Sequence, residues 1–276
     1  MSNDTQAMWP VESGAPDCSE AGHLDENELR RDHGHIEFDG LPNTRDLGGL
    51  ETADGHHVRS GVLLRSGMLC YASDEDIARL RDDYRLRAIV DLRGDEELAE
   101  LPDPVGEFPG LTYVHADVMK QGFAGISQDE ESRRLMAKLE EKSVDDPPAF
   151  MEGLYPGLFL RDAGVEAYRA FMRTILACED GAVLWHCHVG RDRCGMASLL
   201  VEHVLGVPME TSEDDYLATN IYTDEPSTRR TDANLRFIRA AVGAVEREWG
   251  GLDGYVHDAL GVSDADVAEL RARYLV

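Results

Sequence analysis

The stretch Trp185-His186-Cys187-His188-Val189-Gly190-Arg191-Asp192-Arg193-Cys194-Gly195 decides how this chain folds. It follows the short apolar run Ala182-Val183-Leu184-Trp185 and leads into an apolar segment from about Cys194 to Leu205, closed by Gly206. The first run reads as a buried strand and the second as a helix stopped by glycine. A strand, a glycine-bearing loop and a helix, in that order, form a cradle for an anion. Successive backbone N–H groups turn inward, and the helix N-terminus adds partial positive charge. Gly190 allows a turn that a side chain would obstruct. Arg193, six residues after Cys187, carries a planar fork suited to gripping two oxygens of one phosphate.

A thiol at the centre of such a cradle feels the field meant for the anion. Its pKa is expected to fall from about 8.5 into the range of roughly 3.5 to 7.5, leaving Cys187 largely thiolate at neutral pH. Thiolate attack on phosphorus would give a phosphocysteine for water to hydrolyse. The oxygens would be held by His188, Val189, Gly190, Arg191, Asp192 and Arg193 as charge moves through the transition state. The leaving alcohol needs a proton, and two carboxyls could supply it. Asp192 lies inside the loop, and Asp91 ends the apolar strand Ala88-Ile89-Val90-Asp91. Either must be protonated in the complex, which a nearby dianion favours, and the spacing leaves both open.

Other readings of the same residues are weaker. His186, Cys187, His188 and Cys194 include neighbours that point to opposite faces of a strand, and no CxxC or HxxxH spacing accompanies them, so no metal is expected. A sulfur carrier would also use a loop cysteine, but the spacing of cysteine, five residues and arginine argues against it. A module that only binds phosphate would be expected to lose Cys187 or Arg193. No cofactor is implied.

The rest of the chain sets the frame. At 276 residues there is ample material for one generous α/β domain. Strand-like runs at 88–92, 111–115 and 182–185 alternate with helical segments, among them 164–178, where Val165, Tyr168, Phe171, Met172 and Ile175 share a face. His57-Val58-Arg59 and Val62-Leu63-Leu64-Arg65, parted by Ser60-Gly61, read as a hairpin. Ser73 with Asp76 and Ser212 with Asp215 both read as capping boxes at helix starts. A charged helical segment over 128–142, ended by Pro147-Pro148, reads as a solvated surface helix or as a lid. Residues 1–35 are polar and acidic and read as a disordered tail.

Acidic residues number 54 against 27 basic ones, for a formal net charge of -27. Such a field opposes nucleic acid and anionic membranes at long range. No stretch approaches the roughly 18 apolar residues a membrane span requires. The first thirty residues lack the apolar core of a secretory signal, so a cytoplasmic location is expected. The five cysteines suggest no disulfide framework.

Several motifs occur together in one order: Asn43-Thr44-Arg45-Asp46-Leu47-Gly48-Gly49, Leu64-Arg65-Ser66-Gly67, Asp91-Leu92-Arg93-Gly94-Asp95-Glu96-Glu97, the loop from Cys187 to Arg193, Asp215-Tyr216-Leu217-Ala218-Thr219-Asn220 and Leu260-Gly261-Val262-Ser263. Over residues 36–276 this set resembles the bacterial and archaeal tyrosine/serine phosphatases of the tyrosine phosphatase family 3 group. The resemblance implies the cysteine-phosphatase fold, a mostly parallel sheet with helices on both faces and a helical lid-like insertion. It implies a metal-independent protein tyrosine phosphatase with Cys187 as nucleophile, Arg193 as phosphate clamp and Asp192 as a candidate general acid. The partner would be a phosphorylated protein or a small phosphoester. Phosphoinositide or small-molecule hydrolysis, or phosphate binding without turnover, are the alternatives. Arg45, Asp46, Arg65 and Arg93 are expected to brace the loop. Two positions depart from the family pattern: Arg191 stands where Lys is usual, and Cys194 where Thr or Ser is usual.

Overall fold

The computed structural model describes residues 32–120 and 130–276. Its centre is a five-stranded sheet in the order β1-β2-β5-β3-β4. The strands are β1 (Arg45–Asp46), β2 (Leu63–Ser66), β3 (Leu86–Asp91), β4 (Thr112–His115) and β5 (Ala182–His186). β2, β5, β3 and β4 run parallel, and only the two-residue β1 is antiparallel. The chain therefore enters β5, the strand before the cysteine loop, as the middle of the sheet, flanked on both sides.

That position explains the sequence of the strands. Each inner strand is buried on both faces, so it reads as a continuous apolar run. Leu63, Ala88, Val90, Val183 and Trp185 face one core layer, while Leu64, Leu86, Ile89, Ala182 and Leu184 face the other. The first layer is covered by α6 (Asp162–Ala177), α7 (Asp192–Leu205) and, further out, α8 (Met209–Tyr222), α9 (Leu235–Trp249) and α10 (Asp264–Tyr274). The second is covered by α1 (Asp74–Asp82) and the segment carrying Ile36, Phe38 and Leu41. On α6, Tyr168, Phe171, Met172 and Ile175 are fully buried as their spacing requires. Phe171 meets Trp185 edge to face at 5.2 Å, an arrangement that adds about 0.5–1.5 kcal/mol beyond burial of area.

Between β4 and α6 lies the helical insertion: α3 (Glu130–Ser143), α4 (Ala149–Leu154) and α5 (Pro156–Leu160), with the one-turn-and-a-half helix α2 (Asp95–Glu100) placed earlier, between β3 and β4. Leu139 of α3 packs on Leu154. Arg236 of α9 holds Asp146 at 2.8 and 2.7 Å, and Arg230 holds Glu140 at 2.7 Å. These pairs are largely exposed, so each contributes little; the contact of Tyr155, between α4 and α5, with Phe237 of α9 at 5.1 Å anchors the insertion.

Two expectations change. The 57–65 hairpin does not form: β2 pairs with β1, while Val58 bridges to Leu275 and His57 to Glu51. Ser212 and Asp215 do not cap a helix, because α8 begins at Met209 after Pro208 and both residues are buried inside it. His35 stacks on Tyr222 at 4.0 Å, just ahead of the segment that starts at Ile36. The tail over residues 1–31 lies outside the described residues. Ser73 and Asp76 do form a capping box, and Gly206 closes α7 in the left-handed region at φ 89°.

Candidate active site

The loop between β5 and α7 sits over the C-terminal ends of the parallel strands, where α/β sheets place their ligands. Its carbonyls are taken up from outside. Met68 N–H donates to His188 O at 3.0 Å, Asn43 Nδ2 to Val189 O at 2.8 Å, and Arg65 Nη2 to Gly190 O at 2.8 Å. In a trans peptide the N–H points opposite its carbonyl, so the amides of Val189, Gly190 and Arg191 turn to the inside of the loop. Gly190 has φ 78°, and a Cβ there would fall 2.6 Å from Ser66 O, so glycine is required on both counts.

The bracing is buried. Arg65 and Arg45 are fully buried against Asp215 of α8, with Arg45 Nε 3.6 Å from its carboxylate and Arg65 closer still. Asp215 is the reason α8 carries an acid in its interior. Asp46 accepts the N–H of Gly48 and of Gly61, at 2.8 and 2.6 Å, and so ties the start of β2. Of these residues Arg65 braces the loop directly, while Arg45 is held on Asp215 and Asp46 on the start of β2.

Cys187 is buried, and its thiol is held well below the ordinary range. Burial opposes ionisation, but a hydrogen bond from the Cys194 thiol, the nearby Arg193 guanidinium and the Cys194 backbone outweigh it. Cys194 is pushed the other way, by burial first and then by the Cys187 sulfur beside it, so it remains the thiol that donates. The two sulfurs are thus shifted in opposite directions, Cys187 down and Cys194 up. Cys194 also points its thiol toward Ser66 O at 3.6 Å.

Arg193 is nearly buried and pairs with Glu97 at 2.5 and 3.0 Å. Glu97 uses one N–H from each terminal nitrogen, and Leu92 O takes another at 3.5 Å. Of the five N–H donors, the Nε–H and the adjoining Nη2–H stay available on one edge, which is the edge a phosphate can accept from. Glu97 is fixed in turn by Gly94 N–H at 2.8 Å, and its carboxyl is lowered despite burial, chiefly by Arg193. Glu97 is a partner of Arg193 that spacing alone did not single out, although it lies in a quoted motif.

The two candidate acids are placed very differently. Asp192 opens α7, is partly exposed, and accepts from the Tyr155 hydroxyl and from Arg191 Nε at 3.3 Å. Tyr155, from the end of the helical insertion, is pushed far up by burial and by Asp192, so it stays protonated and donates; it also shares a 2.6 Å hydrogen bond with Tyr216. Asp91 is fully buried. Arg93 grips it through Nε at 2.9 Å and Nη2 at 2.8 Å, and the Tyr113 hydroxyl donates at 2.8 Å. Against the cost of burial, Arg93 and the neighbouring His186 hold its carboxyl below the usual range. Its carboxylate is thus fully engaged in an internal network.

That network reaches the loop through His186. Its ring lies 2.9 Å from Asp103 on one side and 3.2 Å from Cys187 O on the other. Burial lowers its affinity for a proton, but Asp103 and Asp91 more than reverse this. Asp103, another residue the sequence did not mark, therefore orients the histidine that precedes the nucleophile. Asp91, Asp103 and His186 could be taken for a metal cluster, but Arg93 sits 3.0 Å from Asp103 and already supplies the positive charge. Asp95, His115 and Asp117 also approach one another within 4.8 Å, with Asp95 largely exposed.

The chain is similar to several known proteins. The model of the tyrosine phosphatase family matches residues 36–276. A Cupriavidus necator protein carrying the name tyrosine-protein phosphatase is 32% identical over 261 residues, covering 87% of this chain and 88% of its own. The triple specificity protein phosphatase PtpB of Mycobacterium tuberculosis is 26% identical, covering 85% of this chain and 97% of its own. A solved structure of P. aeruginosa TpbA in complex with phosphotyrosine is 14% identical, covers 67% of this chain and 90% of its own, and has a TM-score of 0.24.

Proposed function

This chain belongs to the tyrosine phosphatase family, and from that premise we propose that it hydrolyses phosphotyrosine esters through a phosphocysteine on Cys187. The observation that carries the reading is the geometry of the loop, whose carbonyls are taken up by Met68, Asn43 and Arg65 so that its amides turn inward, with Arg193 held by Glu97 beside it. The Cys187 sulfur attacks phosphorus as the bond to the tyrosine oxygen breaks. Asp192 gives that oxygen its proton, and it is preferred to Asp91 because Asp91 is wholly engaged with Arg93. Water then attacks the phosphocysteine, loses a proton to the Asp192 carboxylate, and releases phosphate with the thiolate restored. The amides of His188 to Arg193 and the open edge of Arg193 hold the oxygens throughout. No metal or cofactor enters these steps.

Residues 36–276 form the catalytic domain. Phosphoserine and phosphothreonine are the secondary substrates, in keeping with the name of the mycobacterial relative. The site of action is cytoplasmic, without nucleic-acid or stable membrane partners, supported by the net charge of -27. Among the described residues no helix is long and apolar enough to cross a membrane. The test is vanadate-sensitive phosphate release from p-nitrophenyl phosphate and phosphotyrosyl peptides. Cys187→Ser should abolish it and Asp192→Asn should slow it roughly 10²–10⁴-fold, while an active Cys187→Ser protein would refute the reading.

A further inference from the structure

Beside the cysteine loop lies a cavity of about 340 Å³. His188 and Val189 line it, together with Gly67 and Met68 that follow β2, Asp39 before β1, and Asp224 and Glu225 after α8. The same hydrogen bonds that turn the loop carbonyls outward, from Met68 N–H and Asn43, fix these walls to the loop. His188 joins the cavity to the phosphate clamp, since its ring stands 3.5 Å from Glu97, which grips Arg193. A chain whose phosphorylated residue enters the loop therefore has this cavity as a neighbour.

The lining has a consistent chemistry. Met68 and the exposed Tyr71 ring provide an apolar wall. Asp39, Asp224 and Glu225 supply three carboxylates, and the lining holds no lysine or arginine. Among the described residues none of the three carboxylates has an ion-pair partner, whereas Arg65, Arg93 and Arg236 each meet one or two acids. A long basic side chain suits such a space. Its stem packs on apolar surface and its head meets the acids, with the Tyr71 face available to a cation. A polyphosphorylated headgroup meets only repulsion there.

We propose that this cavity receives a basic side chain of the substrate, so that the enzyme's preferred substrates are phosphotyrosyl proteins with arginine or lysine close to the phosphorylated residue. The proposal rests on the phosphatase reading and extends it to a substrate class.

The test uses the full chain and a neutral phosphotyrosyl peptide in which one arginine, or one glutamate, is moved through each position flanking the phosphotyrosine. At one or two positions arginine should raise kcat/KM about tenfold over glutamate, on the scale of a few ion pairs at a rim, and the ratio should shrink as salt is raised. Asp224→Asn with Glu225→Gln should bring the arginine-to-glutamate ratio close to one, and Asp224→Lys with Glu225→Lys should invert it, which an unfolded protein could not do. A flat panel in an enzyme that turns over p-nitrophenyl phosphate overturns this inference alone. Preference for glutamate, or an inositol phosphate competing better than the arginine peptide, also overturns it. Loss of all turnover instead strikes at the phosphatase reading, and the arginine-against-glutamate comparison is then made by binding to the Cys187→Ser protein.

Discussion

Replacing Cys194 with serine tests the central electrostatic claim directly. The side chain is fully buried beside Cys187 and has Ser66 O at 3.6 Å as an acceptor. Serine keeps the shape closely and has the same two acceptors in reach. A thiol is a weak donor, whereas a hydrogen bond to a charged group contributes about 1.5–3 kcal/mol. If the hydroxyl gains about 1 kcal/mol at the sulfur anion, the Cys187 pKa falls by about 0.7 units at 1.36 kcal/mol per unit. The same bond stabilises the thiolate as it leaves phosphorus, so breakdown of the phosphocysteine should speed up about fivefold, and tenfold would need about 1.4 kcal/mol. Two assays report the two effects. The pH dependence of iodoacetamide alkylation should shift to lower pH in Cys194→Ser. In rapid mixing with p-nitrophenyl phosphate, the burst should shrink relative to the steady state as hydrolysis of the intermediate ceases to limit turnover. Unchanged alkylation and unchanged burst would show that Cys194 does not act on Cys187, and the division of the two sulfurs would have to be abandoned.

Glu97→Gln keeps the shape but removes the charge that aims Arg193, so kcat is expected to fall roughly 10–100-fold, equivalent to about 1.5–3 kcal/mol for charge-assisted bonds, with KM for p-nitrophenyl phosphate rising less; equal activity would refute the aiming role. The Cys187 thiol titrates lower in the folded chain than its unfolded value of about 8.5. Its ionisation thus stabilises the fold fully only above about pH 8.5, and this contribution is lost as pH falls toward the lowered folded pKa. The Tm difference between the parent and Cys187→Ser should accordingly move in the parent's favour from pH 6 to pH 9, and a constant difference would contradict the depressed pKa. Mild peroxide should oxidise Cys187 to its sulfenic acid, which the Cys194 thiol then attacks, forming a disulfide and releasing water. Mass spectrometry should find the Cys187–Cys194 link with activity recovered by dithiothreitol, and its absence would exclude this route.

Much of the site was legible before any coordinates, and the reasons are local. The cradle depends on a strand, a loop of set length and a helix that are contiguous in sequence, so Cys187, Gly190, Asp192 and Arg193 could be named from spacing. The buried strands were legible because β3 and β5 are covered on both faces and must be continuously apolar. Glu97 was harder. Asp95, Glu96 and Glu97 are alike as residues, and the phase of α2, set by its start at Gly94, decides which one meets Arg193. Asp215 looked like a cap because a serine stood three residues before it. Its real partners, Arg45 and Arg65, lie 170 and 150 positions away. The 57–65 segment looked like a hairpin because edge pairing is chosen by neighbours in space, and β1 was the better neighbour for β2.

The sequence by itself determined the parts of the candidate site: a loop cysteine, an arginine at the distance one loop can span, and a glycine where only glycine fits. These follow from bond geometry and from the fields of a few adjacent groups. Tertiary structure decided how that chemistry is controlled. It engaged Asp91 with Arg93 and Tyr113, brought Tyr155 from the insertion onto Asp192, and placed Asp103 on His186. A residue's charge state and aim depend on burial and on distant partners, and those are settled only when the chain closes on itself.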